Sequence, residues 1–231
     1  MIKKFVEFCV QKLKKNNFTF DDNLKDKVIL SLLYQNIFSL IRGYKIVFFL
    51  KKPNLLFLGK QVSFFNIHNI SFGKLVKLGD FVYVSALGKN SIYFGNNVSI
   101  GAFSRIIIST TFNNLGEGIK IGNNVGIGEF AYLGGAGGLE IGDDTIVGQY
   151  LSTHPENHIF SDTETLIRKQ GTTRQGIRIG SNCWIGSKVT ILDGVNIGNN
   201  CIIAAGAVVT KNFDDNSVIG GVPAKLIKKT K

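Results

Sequence analysis

The chain has 231 residues, with 27 Lys and Arg against 16 Asp and Glu, a formal net charge of +11, and three cysteines. An odd cysteine count with no secretory leader ahead of it argues against a disulfide scaffold and for a reduced, cytoplasmic setting. No helix-turn-helix or RNA-binding signature accompanies the positive charge, so nucleic acid is not the expected partner.

In residues 1–15, Ile2, Phe5, Val6, Cys9, Val10 and Leu13 recur at helical three-and-four spacing with lysines between them. This predicts a short amphipathic helix, too charged and too brief for a secretory core. Val28 to Leu50 is strongly apolar and long enough to suit a membrane span. Arg42 and Lys45 fall inside it, and a central Arg or Lys costs roughly 2.5 to 3.5 kcal/mol on insertion scales. The expectation is therefore a helix that breaks near Gly43 and packs on the rest of the chain or lies on a membrane surface. Residues 1–54 form one N-terminal helical, basic and Phe-rich segment. Such a segment suits a solvated face, an acidic polymer or peripheral contact with an anionic membrane.

From about Leu55 an aliphatic residue returns every six positions, most clearly at Ile179, Ile185, Ile191, Ile197, Ile203 and Val209. A period of six is a multiple of two, which suits strands and not helices, and it is too short for a hairpin meander. It predicts coils of three short strands, about 18 residues each, stacked into a parallel β-solenoid. Phe72, Leu78 and Val84 keep the step, as do Phe94, Ile100 and Ile106, then Ile121, Ile127 and Leu133, then Ile141 and Val147. Slips at 88–93, 111–120 and 136–140 read as insertions at corners.

The pairs Asn96-Asn97, Asn123-Asn124, Asp143-Asp144, Ser181-Asn182 and Asn199-Asn200 recur at one place in the hexads, as expected of left-handed corner residues. Cys183 and Cys201 lie one coil apart and read as stacked interior residues. The longest interruption, 153–177, is expected to be a loop without structure of its own, and it holds His154 and His158, two of the three histidines. Loops of that kind are more often functional than not. After Val209 come a polar turn at 212–216, a short strand at 217–221, and a basic tail or short terminal helix at 223–231 that caps the solenoid.

Cys-Trp-Ile-Gly-Ser at 183–187, Ala-Ala-Gly-Ala-Val-Val-Thr-Lys at 204–211 and Gly-Gly-Val-Pro-Ala-Lys at 220–225 carry a resemblance that extends over residues 70–231. The chain resembles the hexapeptide-repeat acyltransferases, in particular the galactoside, maltose and surface-polysaccharide O-acetyltransferases. That resemblance implies an all-β solenoid over 55–231, coiled left-handed although ordinary crossovers are right-handed. It also implies a homotrimer, acetyl-CoA as co-substrate and no metal.

Acetyl transfer from a thioester to a sugar hydroxyl needs a base, and histidine titrates near working pH. His154 lies in Thr-His-Pro, which resembles the catalytic segment of the galactoside and maltose enzymes, and His158 follows four residues later. We assign the base to His154; His158 then contacts the acceptor or orients the loop. Glu156, Asn157 or a backbone carbonyl could hold the second ring nitrogen, and Glu156 and Asn157 are the expected acceptor contacts within the active-site loop 152–178. By resemblance the donor touches Ser187, Ala205, Thr210, Lys211 and Lys228. The N-terminal segment and the Glu-Asn-His-Ile-Phe loop differ from the small-sugar enzymes and look more like those of capsule, O-antigen or exopolysaccharide assembly. They suggest a lipid-linked or polymeric glycan acceptor at the inner membrane face. Acetylation of an amino acid or amino-sugar nucleotide, and a non-catalytic membrane-docked scaffold, are the alternatives. A zinc site on three histidines is not expected, because His68 stands far from the pair.

Overall fold

The computed structural model describes residues 2–14 and 17–230. Helix α1 spans Ile2–Lys14 and helix α2 spans Asp26–Gly43, which continues as a 3-10 turn over Tyr44–Phe49. Met1 and Lys15, the expected ends of the first helix, lie outside the described residues. The second helix starts two residues earlier than its apolar run, at Asp26, whose carboxylate suits the positive end of the helix dipole. It changes pitch after Gly43, which sits so close to the Leu56 carbonyl that a Cβ there would collide.

From Phe57 the chain winds as a parallel β-helix. Among the described residues its coils build three sheets of nine, seven and six strands, with a separate two-stranded hairpin. One coil runs Ile119–Ile121 in the third sheet, Gly126–Ile127 in the first and Tyr132–Gly134 in the second. The predicted hexad residues stack in register from coil to coil. Ile127 pairs with Val147, Val147 with Ile185 and Ile185 with Ile203 in the first sheet, and Ile121, Ile141, Ile179 and Ile197 follow each other in the third. These side chains form one continuous buried column from Ile46 to Ala224. Cys183 and Cys201 lie inside it as expected, each thiol donating to a backbone carbonyl of the next turn, Gly198 and Asp214 respectively, at 3.3 Å.

Two corners are built by repetition. From the third sheet into the first, Asn97, Asn124, Asp144, Asn182 and Asn200 adopt φ between 54° and 58°, a left-handed conformation these short polar side chains tolerate. The Asn or Asp before four of these, all but Asn182, turns its side-chain oxygen back to the previous coil, as when Asn96 N–H donates to Asn123 Oδ1 at 2.9 Å and Asn123 N–H to Asp143 Oδ1 at 2.7 Å. From the first sheet into the second, Phe81, Phe103, Phe130 and Tyr150 occupy the same left-handed position. Their rings stack with centroids 5.0, 5.1 and 5.0 Å apart and planes within 6°. A bulky residue rarely accepts positive φ; offset stacking of four rings is the compensating contact. Lys188 takes the place in the next coil and ends the aromatic column.

The solenoid ends are closed by different devices. At the start, Arg42 Nε donates to the Leu58 and Gly59 carbonyls at 2.7 and 3.1 Å, Lys45 Nζ to Val62 at 2.5 Å, and Lys51 Nζ to His68 and Ile70 at 2.9 and 2.7 Å. One cation thus serves the first coil on each of its three sides. Burial and the neighbouring Arg42 hold the Lys45 ammonium below its usual range. At the far end the expected tail or terminal helix is instead a strand, Ala224–Lys229, antiparallel to Ser217–Gly221. The physical reason is the open edge of that strand, whose unpaired N–H and C=O groups recruit the following segment.

Candidate active site

The corner from the second sheet into the third is irregular and carries the candidate site. Strand Ser152–His154 continues the second sheet, pairing with Tyr132–Gly134 on one side and Thr190–Leu192 on the other. Thr153 occupies the hexad position, fully buried among the aliphatics, and its hydroxyl accepts the Gly134 N–H at 3.0 Å. Because side chains alternate along a strand, Ser152 and His154 then both point outward. Ser152 Oγ lies 2.7 Å from His154 Nε2, and the imidazole lies flat over Tyr132 of the previous coil, with centroids 5.6 Å apart and planes 22° from parallel. The ring is thereby fixed by one hydrogen bond and one stacking contact.

The segment after His154 has structure of its own, contrary to expectation. Asn157–His158 pairs with Thr172–Thr173 as an antiparallel hairpin, and a 3-10 turn spans Ile167–Lys169 between them. Two clamps hold this arm to the solenoid. Asp193 accepts the backbone N–H groups of Gln175 and Gly176, both at 2.9 Å, and lies 3.4 Å from the Asn157 amide. Arg174 donates through Nε to Glu156 at 2.6 Å and through Nη1 to Asn114 Oδ1 at 3.0 Å and the Leu115 carbonyl at 2.9 Å. It therefore joins the arm to the insertion at 108–118 two coils below. The cleft between arm, insertion and sheet measures about 570 Å³. His154, His158 and Glu156 line it, together with Arg168 and Arg174 and a hydroxyl- and amide-rich wall that includes Ser109, Thr111 and Asn113.

The residues expected from sequence divide accordingly. His154, His158 and Glu156 are brought together; Asn157 turns to Asp193 outside the cleft lining. The Glu156 carboxylate is engaged by Arg174, and the group on the imidazole is the Ser152 hydroxyl. Ser187 and Ala205 sit in successive coils at the corner from first to second sheet, with Gly206 N–H donating to the Ser187 carbonyl at 2.9 Å and Ser187 Oγ to Gln149 Oε1 at 2.8 Å. Thr210 and Lys211 follow the last strand of the second sheet, and Lys228 lies exposed on the terminal strand, opposite Val218. None of these five lines the cleft that holds His154.

Cys183 plays no part there, since burial pushes its thiol up to about 11 and keeps it protonated. Sequence reasoning missed Tyr132, Ser152, Arg174 and Asp193. Ser152 was findable, being two residues before His154 on a strand. Tyr132 needed the register between coils, and Arg174 and Asp193 gave no local signal. Among the described residues no group of His, Cys, Asp or Glu is arranged to hold a metal ion.

The description "Bacterial transferase hexapeptide (six repeats)" matches residues 176–211. WbbJ of Escherichia coli strain K12, a candidate lipopolysaccharide biosynthesis O-acetyl transferase, is 31% identical over 153 residues, 60% of this chain and 72% of that protein. A candidate acetyltransferase of Mycobacterium tuberculosis is 28% identical over 198 residues, 82% of this chain but 57% of its own length. Among solved structures, a variant of the N-acyltransferase AntD from Bacillus cereus, in complex with a dTDP-linked amino sugar and coenzyme A, has a TM-score of 0.52 at 20% identity, covering 76% of this chain and 81% of that one. The likeness is one of fold, the left-handed parallel β-helix.

Proposed function

The chain belongs to the bacterial hexapeptide-repeat acetyltransferases, and from that premise we propose that it transfers an acetyl group from acetyl-CoA to a sugar hydroxyl with His154 as general base. The observation that carries the proposal is the imidazole itself, oriented by Ser152 and Tyr132 and facing a cleft whose wall offers hydroxyl and amide groups. Such a wall can exchange hydrogen bonds with a polyhydroxylated acceptor. His154 accepts the proton of the acceptor hydroxyl as its oxygen attacks the thioester carbonyl. The tetrahedral intermediate collapses, the C–S bond breaks, and the imidazolium returns the proton to the departing thiolate. His158 and Arg168 line the same cleft and are proposed to contact the acceptor.

The late coils suit the donor. The aromatic column stops at Tyr150, and the corner above it carries Ser187, Lys188, Ala205 and Gly206, small or cationic residues along which a pantetheine can run. Lys211 and Lys228 are proposed to meet phosphates. A homotrimer is the state that the sequence resemblance implies, and sedimentation velocity measures it. An acceptor in lipopolysaccharide or another surface glycan follows the resemblance to WbbJ.

The test is a pair of measurements on the wild type and His154→Ala. Acetyl-CoA at about 100 times its dissociation constant adds roughly 2.7 kcal/mol of stability, and melting should rise equally in both proteins. Only the wild type should release free thiol in a screen of sugar acceptors. Absence of any melting shift would sink the donor assignment, and turnover undiminished in the variant would sink the base.

A further inference from the structure

Helix α2 has two apolar faces. One, through Ile29 and Gly43, packs inward, and it also buries Ser39. The other carries Leu30, Tyr34, Ile37, Phe38 and Ile41, again at helical three-and-four spacing, and all five are exposed. Tyr34 and Phe38 pack against each other at 4.5 Å between centroids. The exposed apolar surface continues through Tyr44, Val47, Phe48 and Phe49 to Leu50, with Phe48 90% and Leu50 95% accessible. So large an exposed apolar surface marks an interaction site.

The charges complete the pattern. Residues 28–50 contain only two ionisable cations, Arg42 and Lys45, and both turn inward to the carbonyls of the first coil. Lys51 does the same. The outward face from Leu30 to Leu50 is thus free of charge, and beside it Lys25, Lys27 and Lys52 are exposed together with Asp21, Asp22 and Asp26, in a segment, 1–60, that carries 12 Lys and Arg against four Asp and Glu. We infer that this face, beyond the acetyl transfer proposed above, docks the protein on an anionic bilayer surface. The apolar side chains enter the headgroup boundary and the flanking lysines meet lipid phosphates. Contact with another copy, including a neighbour in the proposed trimer, is the competing outcome that the oligomeric state in the test below separates. Among the described residues no helix is long and apolar enough to cross a membrane, so the mode is peripheral.

Co-sedimentation of the full chain with phosphatidylcholine vesicles, with and without about one-third phosphatidylglycerol, tests the inference. Binding should require the anionic lipid and weaken with salt. The double variant Phe48→Ser with Leu50→Asn should bind at least about tenfold more weakly at unchanged melting temperature and unchanged response to acetyl-CoA; Asn suits the left-handed backbone at Leu50, φ 56°. Lys25→Glu with Lys27→Glu should weaken anionic binding similarly. Three results overturn the inference: wild-type protein that stays in the supernatant with anionic vesicles, variants that bind as the wild type does, or variants that change only the oligomeric state. The last would assign the face to contact between copies. Because acetyl-CoA binding is read separately, failure here is distinguishable from failure of the proposed reaction.

Discussion

At the corner between the third and first sheets the coils repeat one device, an Asn or Asp at positive φ whose neighbour hydrogen-bonds to the adjacent coil. At the corner between the second and third sheets the connections are unequal, covering 108–118, 135–138, 155–176 and 193–195. Both corners meet the third sheet, yet one keeps four residues in every coil and the other accepts an arm of its own. The difference shows where a solenoid can carry chemistry. Register along the column is held by the buried aliphatics and the regular corners, so extra residues at the third corner bulge outward without disturbing the strands. His154 is the last residue of its strand before the longest such bulge.

The largest expected effect isolates the irregular corner. His154→Ala should lower turnover by about 10²- to 10⁴-fold, the range for a general base, while the melting temperature stays put because the ring is exposed. If turnover persists, the same measurement on His158→Ala follows.

The regular core should respond in the opposite sense. Ile185→Ala empties a fully buried position and should cost about 2 to 5 kcal/mol in denaturant unfolding. A loss below about 1 kcal/mol would mean that the column relaxes locally instead of transmitting its register.

Arg174→Ala lies between the two regimes. It removes the tie between arm and lower insertion, leaving Glu156 half-buried without its partner. We expect about a tenfold rise in the acceptor KM with kcat less affected, and a stability loss of about 1 to 3 kcal/mol. An unchanged acceptor KM would show that the arm keeps its place through the Asp193 clamp alone.

The smallest effect tests the repeated corner. Asn182→Ala keeps a β-carbon at φ 54° but loses the short polar side chain that makes this backbone tolerable, and should cost roughly 1 to 2 kcal/mol, whereas Asn182→Gly should fall within a few tenths of the wild type. Equal losses would transfer the effect to the 2.8 Å side-chain bond to Asn200.

Much of this was legible in the linear chain. The six-residue step at Ile179 to Val209 fixes strands and the inward face, because side chains alternate every two residues. The Asn and Asp pairs mark corners because few residues accept a left-handed backbone, and the interruption after Thr153 marks the candidate site because the strands on either side resume in phase. The N-terminal helix and its break near Gly43 follow from spacing and a single glycine.

What only the tertiary structure decided are contacts between coils. Tyr132 meets His154 because the intervening corner leaves those strands in direct register, which no local pattern states. Arg42 and Lys45 read in the chain as charges opposing a membrane span; folded, they and Lys51 close the open carbonyls of the first coil. Residues 224–229 have no strong strand pattern, and they become a strand because an unpaired edge lies beside them. Sequence by itself determined each coil, whose faces and corners are set by residues a few positions apart. The structure decided how one coil meets the next, because that depends on where every insertion between them leaves the chain.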